Sequence, residues 1–378
     1  MIYLDHAATT KPHKEVIEAM TTAMREDYFN PAALYKPAKD ISRKIETAYG
    51  LIAQSLNTDA EELVFTSGAT EATNMAIKGM FYKYGERLNK IIASSADHDA
   101  TLSTLKYLER QGAEVVLLNP RKDGSLDLNE LESHLDDKTL LVSILDVNNE
   151  TGVVQDMENI SAIVRRKAPQ AFIHADLVQS WGRLKLNLKE MDIDLASFSG
   201  HKIHGPKSTG LLYVREGVYP DALIHGGGQQ NGLRSGTEDF PLLMGLAQAA
   251  HLLETKFEAN KSQVKKLRKI LVPGLVSLGA TINFPGAVDE ILSISFPGQR
   301  AETVLHMLEA EGLFVATSSA CNAKSGEISH VLKALNMDNK QAEGTIRISL
   351  DASNTEEEMH EAVRIFTSVI EQLKDWGF

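Results

Sequence analysis

The sequence predicts an α/β protein built on a large, mainly parallel sheet, followed by a smaller α+β domain. Three observations support this prediction. Short apolar runs alternate with helical segments up to about residue 214, the apolar runs lack the polar alternation of a half-exposed strand, and the order of elements changes after about residue 237. Near-continuous apolar strands separated by helices are typical of a parallel sheet that is covered on both faces.

The strands of the large sheet are predicted from short runs rich in β-branched and other apolar residues. The first is ELVFT, which stops at Gly68 and precedes the helical pattern EATNMAIKGMFYKY. The later ones are IIASSA (91–96), AEVVLLN (113–119), LLVSILDV (140–147), AFIHAD (171–176), LASFS (195–199) and GLLYV (210–214).

The C-terminal part predicts a different arrangement. Residues 242–257 and 263–278 have the pattern of two long helices, and ILSISFPG (291–298) and TIRISL (345–350) have the pattern of strands. A helix near 301–311, a Ser- and Ala-rich loop around Cys321 and an amphipathic C-terminal helix complete the chain. We find no internal repeat or low-complexity tract.

Composition excludes several classes of protein. The 378 residues are 43% hydrophobic and 24% charged, as in ordinary soluble proteins, and the net charge of −12 disfavours nonspecific binding to nucleic acids or membranes. Cys321 is the single cysteine, so an internal disulfide is excluded. The N-terminus carries Asp5 and His6 where a signal peptide needs an apolar run. We therefore expect a cytoplasmic protein.

Polar clusters follow four of the predicted strands, where α/β proteins bind ligands. The clusters are 67–70, 148–150, 176 with 179, and 199–202. The turn Gly68-Ala69-Thr70 opens a helix, and a helix N-terminus binds phosphate, although the same residues are also typical of a simple N-cap. Its spacing fits neither the P-loop nor the dinucleotide fingerprint, which disfavours ATP and NAD.

Lys202 and Asp176 end two consecutive predicted strands. They could be a solvated lysine and an N-cap, but together with a phosphate-binding turn they match the needs of pyridoxal 5'-phosphate. That cofactor takes a Schiff-base lysine and a carboxylate at its pyridine nitrogen. His201 and His204 lie three residues apart, but two histidines are too few for a zinc site, and we expect no metal.

Eight stretches of the sequence resemble the cysteine desulfurases of the class V aminotransferase family, the bacterial NifS and IscS type. They are YLDHAATT (3–10), FTSGATEATNMAIKG (65–79), VNNETGVVQD (147–156), HAD…QS (174–180), SFSGHKIHGPKSTGLLYVR (197–215), GGGQQNGLRSGTED (226–239), SSACNAKSGEISHVLKAL (318–335) and IRISL (346–350). The resemblance implies the fold type I architecture of enzymes that use pyridoxal 5'-phosphate. It also implies a large cofactor-binding domain (15–255) and a small domain (1–14 and 256–378) that carries the cysteine loop.

The resemblance assigns roles to individual residues. Lys202, Cys321 and His98 match the Schiff-base lysine, the sulfur-accepting nucleophile and the histidine that stacks on the cofactor ring. Arg347 matches the arginine that binds the substrate carboxylate. The remaining cofactor contacts it implies are Ala69, Thr70, Asn149, Asp176, Gln179, Ser199, His201 and Thr237. Of these, Asn149 also contacts the substrate, and Thr237 reaches the phosphate of the neighbouring subunit, which implies a homodimer.

The predicted activity is conversion of L-cysteine to L-alanine, with the sulfur retained on Cys321 as a persulfide and passed to an acceptor protein. Iron–sulfur cluster assembly, tRNA thiolation and cofactor synthesis all use this chemistry. The alternatives are a selenocysteine lyase, a class V aminotransferase and a non-catalytic scaffold of the same fold. Two departures from the family pattern stand out: ATSSAC lacks a glycine common before the cysteine, and His6 replaces the usual Asn or Tyr.

Overall fold

The computed structural model of the protein describes residues 1–317 and 328–375. The strands are β1 Ile2–Tyr3, β2 Leu63–Thr66, β3 Lys90–Ser94, β4 Glu114–Leu118, β5 Thr139–Leu145, β6 Phe172–Asp176, β7 Leu195–Ser199, β8 Gly210–Val214, β9 Thr281–Ile282, β10 Ile291–Ser295, β11 Leu313–Phe314, β12 Ala316–Thr317 and β13 Thr345–Ser349. The helices are α1 Lys14–Glu26, α2 Lys36–Leu56, α3 Ala69–Tyr84, α4 Asp99–Glu109, α5 Leu128–His134, α6 Met157–Lys167, α7 Phe240–Ser277, α8 Ala301–Ala310, α9 His330–Ala334, α10 Asn339–Glu343 and α11 Glu356–Asp375.

Seven strands form the large sheet, in the order β2-β8-β7-β6-β5-β3-β4. β8 is antiparallel to both of its neighbours, and the other pairings are parallel. Every residue of β3, β5, β7 and β8 is buried, because helices cover both faces of the sheet. The predicted fold class is therefore confirmed, and each predicted strand of this sheet is present with ends that differ by no more than a few residues.

A second sheet has four strands in the order β12-β13-β10-β9, and all its pairings are antiparallel. The N-terminal segment joins this part of the molecule, since β1 pairs in parallel with β11. Asp5 then forms a bridge with Ser349, and the amide of Ala7 donates to the Ser349 hydroxyl at 2.8 Å. The first residues of the chain are thus held beside the end of β13.

Helix α7 corrects the prediction of two long helices, because it runs unbroken for 38 residues. The residues between the two predicted helices include no glycine or proline that would end a helix. Its first half packs Leu243 and Leu246 into the core of the large sheet, and its second half packs Leu267 and Leu271 into the core of the second sheet. The domain division at residue 255 stays a prediction; residue 255 lies in α7 between these two cores.

No helix within the described residues is long and apolar enough to cross a membrane.

Candidate active site

A cavity of about 560 Å³ lies at the carboxyl ends of the parallel strands, between the large sheet and the second sheet. It brings together ten of the predicted site residues: Ala69, Thr70, His98, Asn149, Asp176, Gln179, Ser199, His201, Lys202 and Arg347. Of the other two, Thr237 does not line it, and Cys321 lies outside the described residues.

Lys202 closes a single 3₁₀ turn, Gly200–Lys202, directly after β7. Its Nζ donates hydrogen bonds to the carbonyl oxygens of Ala7 at 2.6 Å and Ala8 at 2.8 Å. Burial, reinforced by the positive charge of Arg347, lowers the pKa of Lys202 to about 7. A large fraction of this lysine is therefore a neutral amine at physiological pH, which is the form that acts as a nucleophile or a base.

Asp176 is the last residue of β6 and is buried, with its carboxylate accepting a hydrogen bond from the amide of Val178 at 3.1 Å. Burial raises the pKa of this carboxyl. A cationic group placed beside it would offset that penalty, because opposite charges favour each other strongly at low dielectric. Asp176 is thus suited to a protonated ring nitrogen of a ligand.

His98 is the N-cap of α4, and its Nδ1 accepts a hydrogen bond from the amide of Ala100 at 3.1 Å. In the neutral ring the proton therefore sits on Nε2. This capping bond fixes the plane of the imidazole, which lines the same cavity as Lys202.

The start of α3 lines one part of the cavity. Gly68 has φ +148°, a region that side-chain-bearing residues rarely adopt, and it turns the chain directly from β2 into the helix. The first amides of a helix have no intrahelical acceptor, so those near Ala69 and Thr70 suit an anion. His201 lines the same cavity, and burial lowers its pKa to about 4, which leaves it a neutral hydrogen-bonding ring.

Arg347 lies in the middle of β13 and enters the cavity from the second sheet. Its Nη1 donates to the carbonyl oxygen of Asn149 at 2.9 Å, and its Nη2 pairs with the Asp5 carboxylate at 2.7 Å. A guanidinium has more N–H donors than these two bonds use, so Arg347 can also bind a carboxylate.

The sequence did not predict how the N-terminal segment closes the cavity. Ala7 and Ala8 accept from Lys202, and Ala7 also accepts from Nε2 of Gln179 at 3.0 Å. The other polar atom of that amide, Oε1, is buried without a hydrogen-bond partner among the described residues. The motif YLDHAATT indicated that the N-terminal segment matters for function. It could not predict these contacts, because residues almost 200 positions apart leave no local pattern in the sequence.

Thr237 is exposed and belongs to the glycine-rich segment 226–239. Several contacts attach this segment to the rest of the predicted large domain, and two of them reach α3 and β2. Arg234 forms an ion pair with Glu71, in the first turn of α3, at 3.0 Å, and the side chain of Gln230 accepts from the Phe65 amide at 2.7 Å. The role of Thr237 at a partner's phosphate stays a prediction.

Comparison with known proteins gives the class. The aminotransferase class-V family model matches residues 2–361. Proteins named cysteine desulfurase IscS from Methanosarcina thermophila and Salmonella schwarzengrund are 36% and 38% identical to the chain; each alignment covers 99% of it and 93% or 94% of the relative. The solved structure of a NifS-like protein superposes with a TM-score of 0.92 at 37% identity and 99% coverage of both chains. A structure of SspA in complex with cysteine has a TM-score of 0.84 at 34% identity, covering 94% of this chain and 100% of that one.

The chain belongs to the aminotransferase class-V family. Within that family it groups with the cysteine desulfurases, which confirms the predictions of fold, family and enzyme class. The roles of the individual site residues stay predictions.

Proposed function

We propose that this protein is a cysteine desulfurase that uses pyridoxal 5'-phosphate and removes sulfur from L-cysteine at the cavity around Lys202. The observation that carries the proposal is the convergence of three features on one cavity: a lysine with a lowered pKa, a buried carboxylate and a helix N-terminus. Arg347 adds a site for the carboxylate of an amino acid.

The residues present fit the cofactor. Lys202 would hold it covalently, Asp176 would pair with its ring nitrogen, and Thr70 with His201 would bind its phosphate. Gln179 lines the cavity, and the second N–H of its amide, beyond the one bonded to Ala7, would donate to the ring oxygen. When bound, pyridoxal 5'-phosphate supplies an electron sink for the bonds at the substrate Cα.

The chain's own residues then divide the remaining work. Arg347 orients the substrate through its carboxylate, with the guanidinium held in place by Asp5 and the Asn149 carbonyl. Lys202, with its amine free once the substrate is bound, would remove the proton at Cα. Its lowered pKa suits a general base that works near neutral pH.

In the proposed removal of sulfur, Cys321 acts as the nucleophile. Its thiolate attacks the substrate sulfur, a sulfur–sulfur bond forms, and the Cβ–sulfur bond breaks with its electron pair staying on carbon. The carbon side takes up a proton and leaves as alanine, while Cys321 keeps the persulfide, so no external oxidant or reductant is needed. Thr317, four residues before Cys321, lines the cavity, and four residues span at most about 14 Å.

The test separates these two halves. Cys321→Ser should retain the cofactor absorbance and exchange the Cα proton of L-cysteine with solvent deuterium, yet produce almost no alanine and no protein persulfide. Lys202→Ala should lose the exchange as well, because no base then reaches Cα. Normal alanine production by Cys321→Ser would contradict the desulfurase mechanism.

The homodimer and the sulfur acceptor are part of the same proposal. Thr237 is exposed, as expected for a residue that serves a partner subunit. Sedimentation should therefore show a dimer, and mixing Lys202→Ala with Thr237→Ala subunits should change cofactor retention relative to either parent. An active monomer at micromolar concentration would contradict the dimer.

A further inference from the structure

Three histidines form a cluster directly behind the Lys202 turn. His204 stacks on His13, with ring centroids 4.2 Å apart and planes within 17°, and His6 lies 6.4 Å from His204. The cluster joins three parts of the chain, since Asp351, just after β13, pairs with His204. The proposed reaction gives none of these three histidines a role.

The hydrogen bonds of His204 define its charge. Its Nδ1 lies 2.8 Å from the carbonyl oxygen of Lys11, which can only accept, so Nδ1 carries a proton. Its Nε2 lies 2.9 Å from Oδ2 of Asp351, whose other oxygen accepts from the Ser353 amide. Both ring nitrogens therefore donate, and His204 is an imidazolium paired with a carboxylate.

The charges around the cluster favour the protonated, positively charged form of only one of its three histidines. Although burial works against the charged form, the Asp351 hydrogen bond raises the pKa of His204. Burial lowers the pKa of His6 and of His13, and the charge of His204 lowers both further. The other charged groups that face these rings are Arg183, Glu15 and Lys256.

The backbone of His204 is part of the same connection. It has φ +61°, which is uncommon for a residue other than glycine, and its amide donates to Oγ1 of Thr10 at 2.7 Å. The His13 amide donates to the carbonyl of His204 at 3.1 Å, and the Thr10 amide donates to that of His201 at 2.9 Å. The N-terminal segment that binds Nζ of Lys202 is thus bonded to both sides of the Lys202 turn.

We propose that His204 and Asp351 are positioning residues: their charged bridge ties the Lys202 turn to the N-terminal segment and to the end of β13, and so fixes Nζ of Lys202 in the cavity. This inference rests on the proposed role of Lys202. The bridge is complete at and below the ordinary histidine pKa of 6.5 and is lost as the pH rises through the raised pKa of His204. Asp351 remains ionised in this range, because its hydrogen bond to His204 outweighs burial and lowers its carboxyl pKa.

The experiment compares the full-length wild type with His204→Asn and Asp351→Asn. Asparagine tolerates a positive φ, so His204→Asn removes the charge without forcing the backbone to change. Each protein is stripped of cofactor and mixed with pyridoxal 5'-phosphate, and the rate of covalent capture on Lys202 is followed by absorbance and borohydride labelling from pH 6 to 10. His306→Asn is the matched control, since His306 pairs with Glu309 on the exposed surface of α8.

Both variants should capture the cofactor about tenfold or more slowly than wild type near pH 7, because small misplacements of a reacting group are costly. The difference should shrink at high pH, where wild-type His204 loses its proton, and His306→Asn should match wild type throughout. Equal capture rates at all pH values would overturn the proposal. A ratio between variant and wild type that does not change with pH would also overturn it, because the pair would then act only as a structural contact.

A second measurement needs no substitution. ¹⁵N NMR of the histidine rings in the wild type should show both nitrogens of His204 protonated at pH 7, and a neutral His204 ring would overturn the proposal. Neither measurement uses L-cysteine, so a failed desulfurase assay would leave this inference standing and would count against the proposed function alone.

Discussion

The two sheets contribute to the cavity in different ways. The seven-stranded sheet presents its groups at strand ends, where Asp176 closes β6 and Lys202 follows β7. The four-stranded sheet presents Arg347 from the middle of β13, opposite Ser293 of β10. Under the proposed function the first arrangement would hold the cofactor and the second would bind the substrate, so changes on the two sides should separate cofactor binding from substrate binding.

Among the substitutions that test this difference between the sheets, replacement of Arg347 should have the largest effect on activity. Arg347→Ala should lower kcat/KM for L-cysteine by about 100-fold or more, because each hydrogen bond between charged groups contributes about 1.5–3 kcal/mol. Cofactor absorbance and its covalent attachment to Lys202 should remain. Arg347→Lys should recover part of the loss, since it keeps the charge but not the fork of donors.

Arg268 is the matched control for this substitution. It is also a partly buried arginine, paired with Asp289 at 3.6 Å, but it does not line the cavity. Arg268→Ala should leave kcat/KM near wild type. Equal losses of kcat/KM in the two variants, or loss of cofactor from Arg347→Ala, would contradict the proposal that the two sheets have separate roles.

The strand-end groups could be predicted from the sequence and the mid-strand group could not. Apolar runs locate the strands, and polar residues directly after them must gather at one edge of a parallel sheet. That rule needs no distant contact, and it selected Asp176, Ser199 and Lys202. Arg347 entered only through resemblance, because its partner Asp5 lies 342 positions away and a single arginine in a strand has no local signature.

Contacts between distant parts of the chain also explain why the sequence predicted two helices where the structure has the single helix α7. The boundary between the two long predicted helices was expected to be a break, but α7 continues because each half has a core to pack against. The histidine cluster could not be predicted from the sequence either, since His6, His204 and Asp351 come from three separate parts of the chain. Local patterns fix elements, whereas tertiary packing brings these side chains together.

A smaller effect concerns the pH dependence of cofactor capture. Burial and the nearby Arg347 lower the pKa of Lys202 to about 7, so the neutral amine, and with it the capture rate, should rise about tenfold between pH 6 and pH 8. Above that range the neutral amine levels off, and loss of the His204 bridge should lower the wild-type rate. Arg347→Gln removes one cause of the lowered pKa and should move the midpoint upward. A wild-type rate that still climbs steeply at pH 10 would show that Lys202 behaves as an ordinary solvated lysine.

The smallest effect tests the close approach of backbone behind the Gly68 turn, the proposed phosphate site. A Cβ on Gly210 would lie 2.5 Å from the carbonyl carbon of Gly68 and 2.7 Å from the Phe198 oxygen. Gly210→Ala should therefore lower the free energy of unfolding by about 1–3 kcal/mol and weaken cofactor binding, because backbone atoms cannot move aside as a side chain can. Gly50→Ala is the matched change in α2, where a Cβ meets no atom within 4 Å, and it should stabilise by about 0.5–1 kcal/mol. Urea unfolding of both variants and titration with pyridoxal 5'-phosphate measure the two quantities. If Gly210→Ala were as stable as Gly50→Ala and bound the cofactor normally, the contact between β8 and the Gly68 turn would not shape the phosphate end of the cavity.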